Sequence, residues 1–324
     1  MRRRKFLTAG IGGFAAALVS PRGLAQSAGG TTRIIFPFAP GGPGDGLSRL
    51  LADAIATATG RPAIVEDRTG ADGRIGIQVV KNSAPTGETL LVTTGPSMWL
   101  MPMVHPAPGF DPVQDFTPIS LLTRSEFCVA VANNTGVKTM ADFRAWLAAN
   151  PQKASYGIPG LGTIPHFTGT RLAKLLGVDM VRVVYRGTTP AMNDLISGQI
   201  PIAVVTVGDA VQQYRAGNVH VLAVTSQARS PFLPDVPTMR ESGIDLVGDA
   251  WYALWGPVGT PSDVVAKLNA AAVALMAKPD TKDRLAAFGL VAVGSTPQQL
   301  AQAMSEAATA WGPIVKETGY KIEQ

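Results

Sequence analysis

Short apolar runs rich in β-branched residues alternate with amphipathic stretches along almost the whole chain. Residues 33–38 (RIIFPF) read as a buried strand. Residues 47–59 read as a helix, because Leu47, Leu50, Leu51, Ala54, Ile55 and Ala58 recur at helical spacing. Residues 63–66 and 89–93 predict two more strands, with a helix over 75–81 between them. Helices of roughly 10–15 residues between buried strands argue for parallel sheets built from βαβ units. Residues 96–118 interrupt this rhythm with Pro96, Pro102, Pro106, Pro108, Pro112 and Pro118, and read as a long connection rather than a core element.

A second series restarts with an apolar strand at 127–132 and a helix through residue 149 capped by Thr139. Strand and helix pairs follow at 154–158 and 163–176, then at 181–185 and 189–196, with closing strands at 201–207 and 219–225. Beyond Pro231, Pro234 and Pro237, a strand at 254–258 precedes a helical tail at 262–276, 280–288 and 297–318. Two βα series separated by an irregular passage predict an α/β protein of two lobes. The late strand is expected to return to the first sheet. The first lobe is then discontinuous, residues 26–125 with 250–324, and the second spans 126–249.

A length of 324 residues suits two domains. The single cysteine, Cys128, excludes an internal disulfide and a cysteine-rich metal site, and its apolar strand predicts a buried, inert thiol. An isoelectric point near 9.4 suggests nucleic acid until the charges are located. Arg2, Arg3, Arg4 and Lys5 precede a short apolar run, then Arg22 and Gly23-Leu24-Ala25. This is the pattern of a cleaved export signal, too short to span a bilayer. Arg3-Arg4-Lys5-Phe6-Leu7 resembles a twin-arginine signal, with Sec export as the competing route. The five cations of residues 1–25 are the whole excess of charge, because 23 basic and 23 acidic residues remain after them. No basic field is left for nucleic acid or an anionic membrane.

Catalytic constellations are scarce. His105, His166 and His220 are far apart in sequence and form no zinc-binding pair. Ser97, in Gly95-Pro96-Ser97, lacks the second glycine of a nucleophile elbow. The richest feature is Pro40-Gly41-Gly42-Pro43-Gly44-Asp45-Gly46 between a strand and a helix. It fails the dinucleotide fingerprint in every phase. What remains is either an anion cradle, with Asp45 as helix N-cap, or a tight turn. Similar junctions recur at Thr69-Gly70-Ala71-Asp72-Gly73, at Gly157 to Thr163 with Gly160 and Gly162, and at Arg186-Gly187-Thr188-Thr189-Pro190. Junctions at the carboxyl ends of parallel strands, facing each other across two lobes, make a cleft of backbone donors suited to a carboxylate. Arg186 either grips that carboxylate or lies on the surface. His166 either packs or contacts ligand. Tyr156 and Tyr185 either wall the cleft or fill the core, and Trp251, Tyr252 and Trp255 offer the same choice.

Five segments in order, FPFAPGGPGD (36–45), VEDRTGADGRIG (65–76), YGIPGLGTIPH (156–166), VYRGTTPAMNDLISGQ (184–199) and AWYALWGPVGTP (250–261), resemble the Bug receptors of tripartite tricarboxylate transporters. The resemblance implies a two-lobe, flytrap-like α/β periplasmic binding fold and a monomeric receptor that passes a small organic carboxylate to membrane permease subunits. No cofactor, metal or catalysis is expected, since the residues form no catalytic or metal-binding constellation. Ligand contacts would come from Pro40, Gly41, Gly42, Asp45, Ala71, Asp72, Gly73 and Ser97 on one lobe. From the other would come Tyr156, Gly160, Gly162, Thr163, His166, Arg186, Gly187 and Asp209. The sequence departs from the family pattern at Asp67, Thr69, Asp72 and Arg74. The charge on Asp72 either disfavours polyanions such as citrate or faces outward. Rival readings are an exported hydrolase or lyase using Asp45, His166 or Asp194 as acid or base, and a ligand receptor for a sensor protein.

Overall fold

The computed structural model describes residues 30–322, so the basic leader at 1–25 lies outside the described residues. The chain begins with β1 (Thr32–Phe36), α1 (Pro43–Thr59), β2 (Ala63–Asp67), α2 (Arg74–Lys81) and β3 (Thr89–Thr94). Two short helices, α3 (Gly95–Trp99) and α4 (Met101–Val104), lead to β4 (Phe116–Ala132). Then come α5 (Met140–Ala149), β5 (Ser155–Ile158), α6 (Ile164–Leu176), β6 (Val181–Val184) and α7 (Thr188–Ser197). After β7 (Ile202–Thr206), α8 (Val207–Arg215) and β8 (Val219–Val224), the chain continues with β9 (Asp249–Pro257), α9 (Ser262–Ala277) and α10 (Pro279–Ala286). It finishes with β10 (Val291–Ala292) and α11 (Pro297–Thr318).

The strands form two half-sheets joined through β4. In the first, the order is β2-β1-β3-β9-β4, with β10 on the far side of β4. In the second, β4 lies between β7 and β8, and β5 and β6 continue outward from β7. The flanks are parallel as the βαβ rhythm predicts, β2 with β1 and β3, and β6 with β5 and β7. The centre is a correction to that prediction, because β9 and β4 run antiparallel to their neighbours. β4 pairs with β9 as far as Glu126 opposite Asp249, and from Phe127 opposite Thr206 it pairs with β7. One strand therefore serves both halves.

Alternation along β4 explains how it does so. Cys128, Ala130 and Ala132 face one core, while Val129 and Val131 face the other. Both faces are covered, so the run reads as continuously apolar. The first half-sheet is packed in the same way, with Ile35, Leu91 and Trp255 on one side and Ile34, Leu90 and Leu254 on the other. At the junction, the buried Thr225 accepts from the Phe127 N–H through Oγ1 at 3.2 Å. Its hydroxyl hydrogen faces the carbonyls of Phe127 and Gly248. One side chain thus joins the end of β8, the middle of β4 and the approach to β9.

Two local predictions are corrected. Helix α1 starts at Pro43 with Gly42 as its N-cap and no side-chain cap, so Asp45 is inside the first turn. Proline at the first helical position loses no bond, because its N–H would be an orphan there anyway. Residues 96–118 are not a plain connection. Pro96 and Pro102 open α3 and α4, and Met98, Trp99 and Leu100 enter the core.

Candidate functional site

The two half-sheets bound a cleft of about 430 Å³. Its walls come from the carboxyl ends of strands. Phe38 follows β1, Asp72 follows β2, Thr94 ends β3, and Gly162 and Thr163 follow β5. Phe127 at the middle of β4 and Tyr252 on β9 complete it. This is where α/β sheets place ligands, since the loops there are free of the sheet's own hydrogen bonding.

The polar groups cluster on one side. Thr94 caps α3 by accepting from the Ser97 N–H at 3.3 Å, and the two hydroxyls lie 2.8 Å apart. Tyr252 is the register partner of Thr94 across the β3–β9 pair. Directly opposite residues on one face of an antiparallel pair bring their side chains together. Burial pushes the Tyr252 phenol up to about 12, so it stays a donor at neutral pH. Glycine is required at Gly44, where an added Cβ would stand 2.6 Å from the rings of both Phe36 and Tyr252. The glycine-rich turn thus reaches the cleft through the Tyr252 ring that it supports.

Of the residues singled out in the sequence, Asp72, Ser97, Gly162 and Thr163 share the cleft wall. Pro40, Gly41 and Gly42 lie outside that lining, and the Gly41 N–H donates to Asp45 Oδ2 at 2.9 Å. The other Asp45 oxygen is 2.9 Å from Arg49 Nε. The chain's own carboxylate therefore occupies the Gly41 amide. Ala71 and Asp72 both hold left-handed backbone, φ 47° and 56°, which side-chain-bearing residues adopt at a cost of about 1–2 kcal/mol each. Gly73 is buried beneath them, with Pro37 at 3.3 Å from where its Cβ would be.

On the second half, Tyr156 is buried and its hydroxyl is 3.1 Å from Thr170 Oγ1, beside a different cavity under α6. Thr163 caps α6 and donates from Oγ1 to the Gly160 carbonyl at 2.8 Å. Arg186 is exposed, and Gly187 donates to the Pro159 carbonyl at 2.9 Å. Asp209 is exposed in the first turn of α8, where it accepts from Thr206 Oγ1 at 2.5 Å. Tyr185 donates to Asp194 at 2.7 Å, which uses both groups within α7's packing.

His166 packs rather than lines the cleft. Its ring is 1% exposed, stacks on Phe167 at 4.6 Å and meets Tyr320 edge-on at 5.1 Å. The Gly162 N–H donates to Nδ1 at 3.1 Å and Arg182 Nη1 approaches Nε2 at 2.6 Å. A neutral imidazole has one acceptor nitrogen, so it takes one of these donors at a time. Burial first, and the Arg182 charge second, push its pKa down to about 4. An unfolded histidine titrates near 6.5. The unfolded chain therefore binds the proton more readily between these values, and stability falls as pH drops from 6.5 toward 4. Urea denaturation at pH 7, 5.5 and 4.5 should show that loss in the parent and a flatter profile in His166→Asn; equal slopes would refute a neutral, buried imidazole.

Sequence reasoning missed Phe38, Thr94, Leu100 and Phe127, while Tyr252 was offered with core packing as its alternative. Phe127 carried only the signal of a core strand. Thr94 was legible in principle, as a threonine three residues before Ser97 at a strand end.

The model of the tripartite tricarboxylate transporter family receptor matches residues 47–320. An Agrobacterium vitis protein encoded in the ttuE-ttuC' intergenic region is 33% identical over 291 residues, 88% of this chain and 84% of its own. The solved periplasmic binding protein BugD is 31% identical with a TM-score of 0.72, covering 90% of this chain and 99% of its own. MatC from Rhodopseudomonas palustris, solved with bound malate, is 31% identical with a TM-score of 0.71, covering 88% of this chain and 98% of its own.

Proposed function

We propose that this chain, which belongs to the tripartite tricarboxylate transporter receptor family, captures a small organic carboxylate in the periplasm and presents it to its permease. The chain is a receptor, not an enzyme, as its relatives are. The observation that carries the ligand class is the presence of the Thr94, Ser97 and Tyr252 hydroxyls on the cleft wall, the first two in contact. Hydroxyl donors hold a carboxylate well, because hydrogen bonds to a charged acceptor are about twice as strong as neutral ones. The malate held by MatC supports the same class.

Export is part of the reading. The basic head, short apolar run and small residues before Gln26 support a cleaved signal, and the Arg3-Arg4 pair supports the twin-arginine route. Among the described residues no helix is long and apolar enough to cross a membrane. The receptor acts as a monomer whose lobes, residues 26–125 with 250–324 and residues 126–249, close about the crossing points near Glu126, Thr225 and Gly248. The change of partners along β4 and the three-way Thr225 junction support that hinge. Ligand shifts the equilibrium by binding the closed form better.

The test is thermal unfolding of the purified chain against organic acids and their amides. An acid at 100 times its dissociation constant should add about 2.7 kcal/mol of native stability, and its amide should add nothing comparable. An amide that stabilises as well as its acid would refute carboxylate recognition.

A further inference from the structure

We infer that the preferred ligand carries one carboxylate on an uncharged, apolar body, and that Asp72 rejects a second negative charge. The inference rests on the carboxylate-receptor reading and goes beyond it to the class of acid. Three observations carry it.

The outward donors are few. Two hydroxyls in contact, Thr94 and Ser97, hold two hydrogens and spend one on each other, which leaves one to donate outward. Tyr252 supplies another from the opposite strand, and its hydroxyl meets no partner among the described residues. Two outward donors on one cleft wall are as many as the oxygens of a single carboxylate.

The rest of the wall offers little to a second one. Phe38, Leu100, Met101, Val104, Phe127 and Ile164 line it with apolar surface. No Lys, Arg or His lines it among the described residues. A carboxylate moved out of water against such a surface loses its hydration with nothing to replace it. An alkyl or aromatic body gains instead, because its apolar area is removed from water.

Among the described residues the sole charged side chain on the wall, Asp72, has the wrong sign for a polyanion. Asp72 lines the cleft and makes no ion pair or hydrogen bond among the described residues. Its left-handed backbone, beside a left-handed Ala71, fixes the loop that presents it. An exposed, unpaired carboxylate on the wall repels any anion that enters, and a dianion more than a mono-acid with a neutral tail.

A matched set of six-carbon acids tests this by titration calorimetry on the purified chain. Hexanoate ends in a methyl group, adipate in a second carboxylate and 6-aminohexanoate in an ammonium. Hexanoate is expected to bind at least about 10-fold more tightly than adipate, which Asp72 repels, and more tightly than 6-aminohexanoate by a smaller factor, because attraction to Asp72 offsets part of the ammonium's desolvation. Asp72→Asn should narrow the gap between hexanoate and adipate about 5-fold, and Tyr252→Phe should weaken hexanoate about 10-fold. Adipate binding as tightly as hexanoate would overturn the inference, and so would 6-aminohexanoate binding more tightly, since Asp72 would then be a counter-ion. Binding of malate with none of the three would overturn it while leaving the receptor intact. Failure of every acid in the wider panel would instead remove the receptor reading beneath it.

Discussion

Replacing Trp251 with alanine is expected to cost about 3–5 kcal/mol of folding stability, the range for deleting a large buried aromatic side chain. Trp251 is 2% exposed on β9, and its ring is stacked obliquely near Trp255 with centroids 6.0 Å apart. A Cβ on Gly95 would stand only 2.3 Å from the indole, so the ring fills the space directly beneath the start of α3. Alanine leaves a void that backbone on both sides cannot close, and the void adds to the lost transfer energy. The cleft should feel it as well, because Ser97 is carried on α3 and its cap, Thr94, precedes Gly95. Urea denaturation with an unchanged m-value and a lower midpoint would give the stability term directly. A loss under about 1 kcal/mol would mean that α3 collapses onto the vacated space and that the indole is not its support.

Gly289→Ala is expected to cost about 2–4 kcal/mol, from left-handed backbone and from overpacking together. Gly289 follows α10 with φ 68°, and its added Cβ would lie 2.4 Å from the Gly208 Cα and 2.9 Å from the Gly208 nitrogen. Both of these atoms are backbone, so no side chain can swing aside. Gly208 belongs to the first turn of α8 beyond β7, whereas Gly289 leads into β10 on the other half-sheet. The contact thus joins the two halves at a distance set by two absent side chains. Gly136→Ala supplies the control, with φ 69° and open space around its Cβ. It should cost only the conformational part, about 1 kcal/mol. Equal losses in the two variants, measured by thermal and urea unfolding, would show that the Gly208–Gly289 contact gives way.

The α/β class and eight of the eleven described helices were readable because a buried helical face and a buried strand leave different periods in the sequence, whereas α3, α4 and α8 were missed. The tail helix is an example. Pro297 follows a Thr296 cap with Gln299 completing a capping box, and Gly319 ends the helix in left-handed backbone. The N-terminal half of β4 was not readable. Pro118 lies within it, and its register with β9 shifts twice, between Pro118 and Ser120 and between Leu121 and Thr123. Irregularities of that kind break the two-residue alternation on which strand recognition depends. Helices α3 and α4 were hidden by their own prolines, which mark a connection in one context and a helical first turn in another.

The cleft was legible only at its loops. Asp72, Ser97, Gly162 and Thr163 announce themselves as small or polar residues at strand ends. Leu100, Met101 and Phe127 face the cleft with chemistry identical to that of core residues, so a local pattern cannot separate the two roles. The Gly-rich turn also carries a packing role that its sequence did not announce, because Gly44 admits the Tyr252 ring.

The shared strand also orders the birth of the molecule. β3 ends at Thr94 and its partner β9 begins at Asp249, so about 155 residues are synthesised between them. At roughly 5–20 residues per second this takes on the order of 8–30 s, during which one edge of β3 is open. All the strands of the second half-sheet are complete by Val224, well inside that interval. The second half-sheet therefore has all its strands before the first has its central one, which leaves the apolar edge of β3 a template for mispairing until β9 arrives.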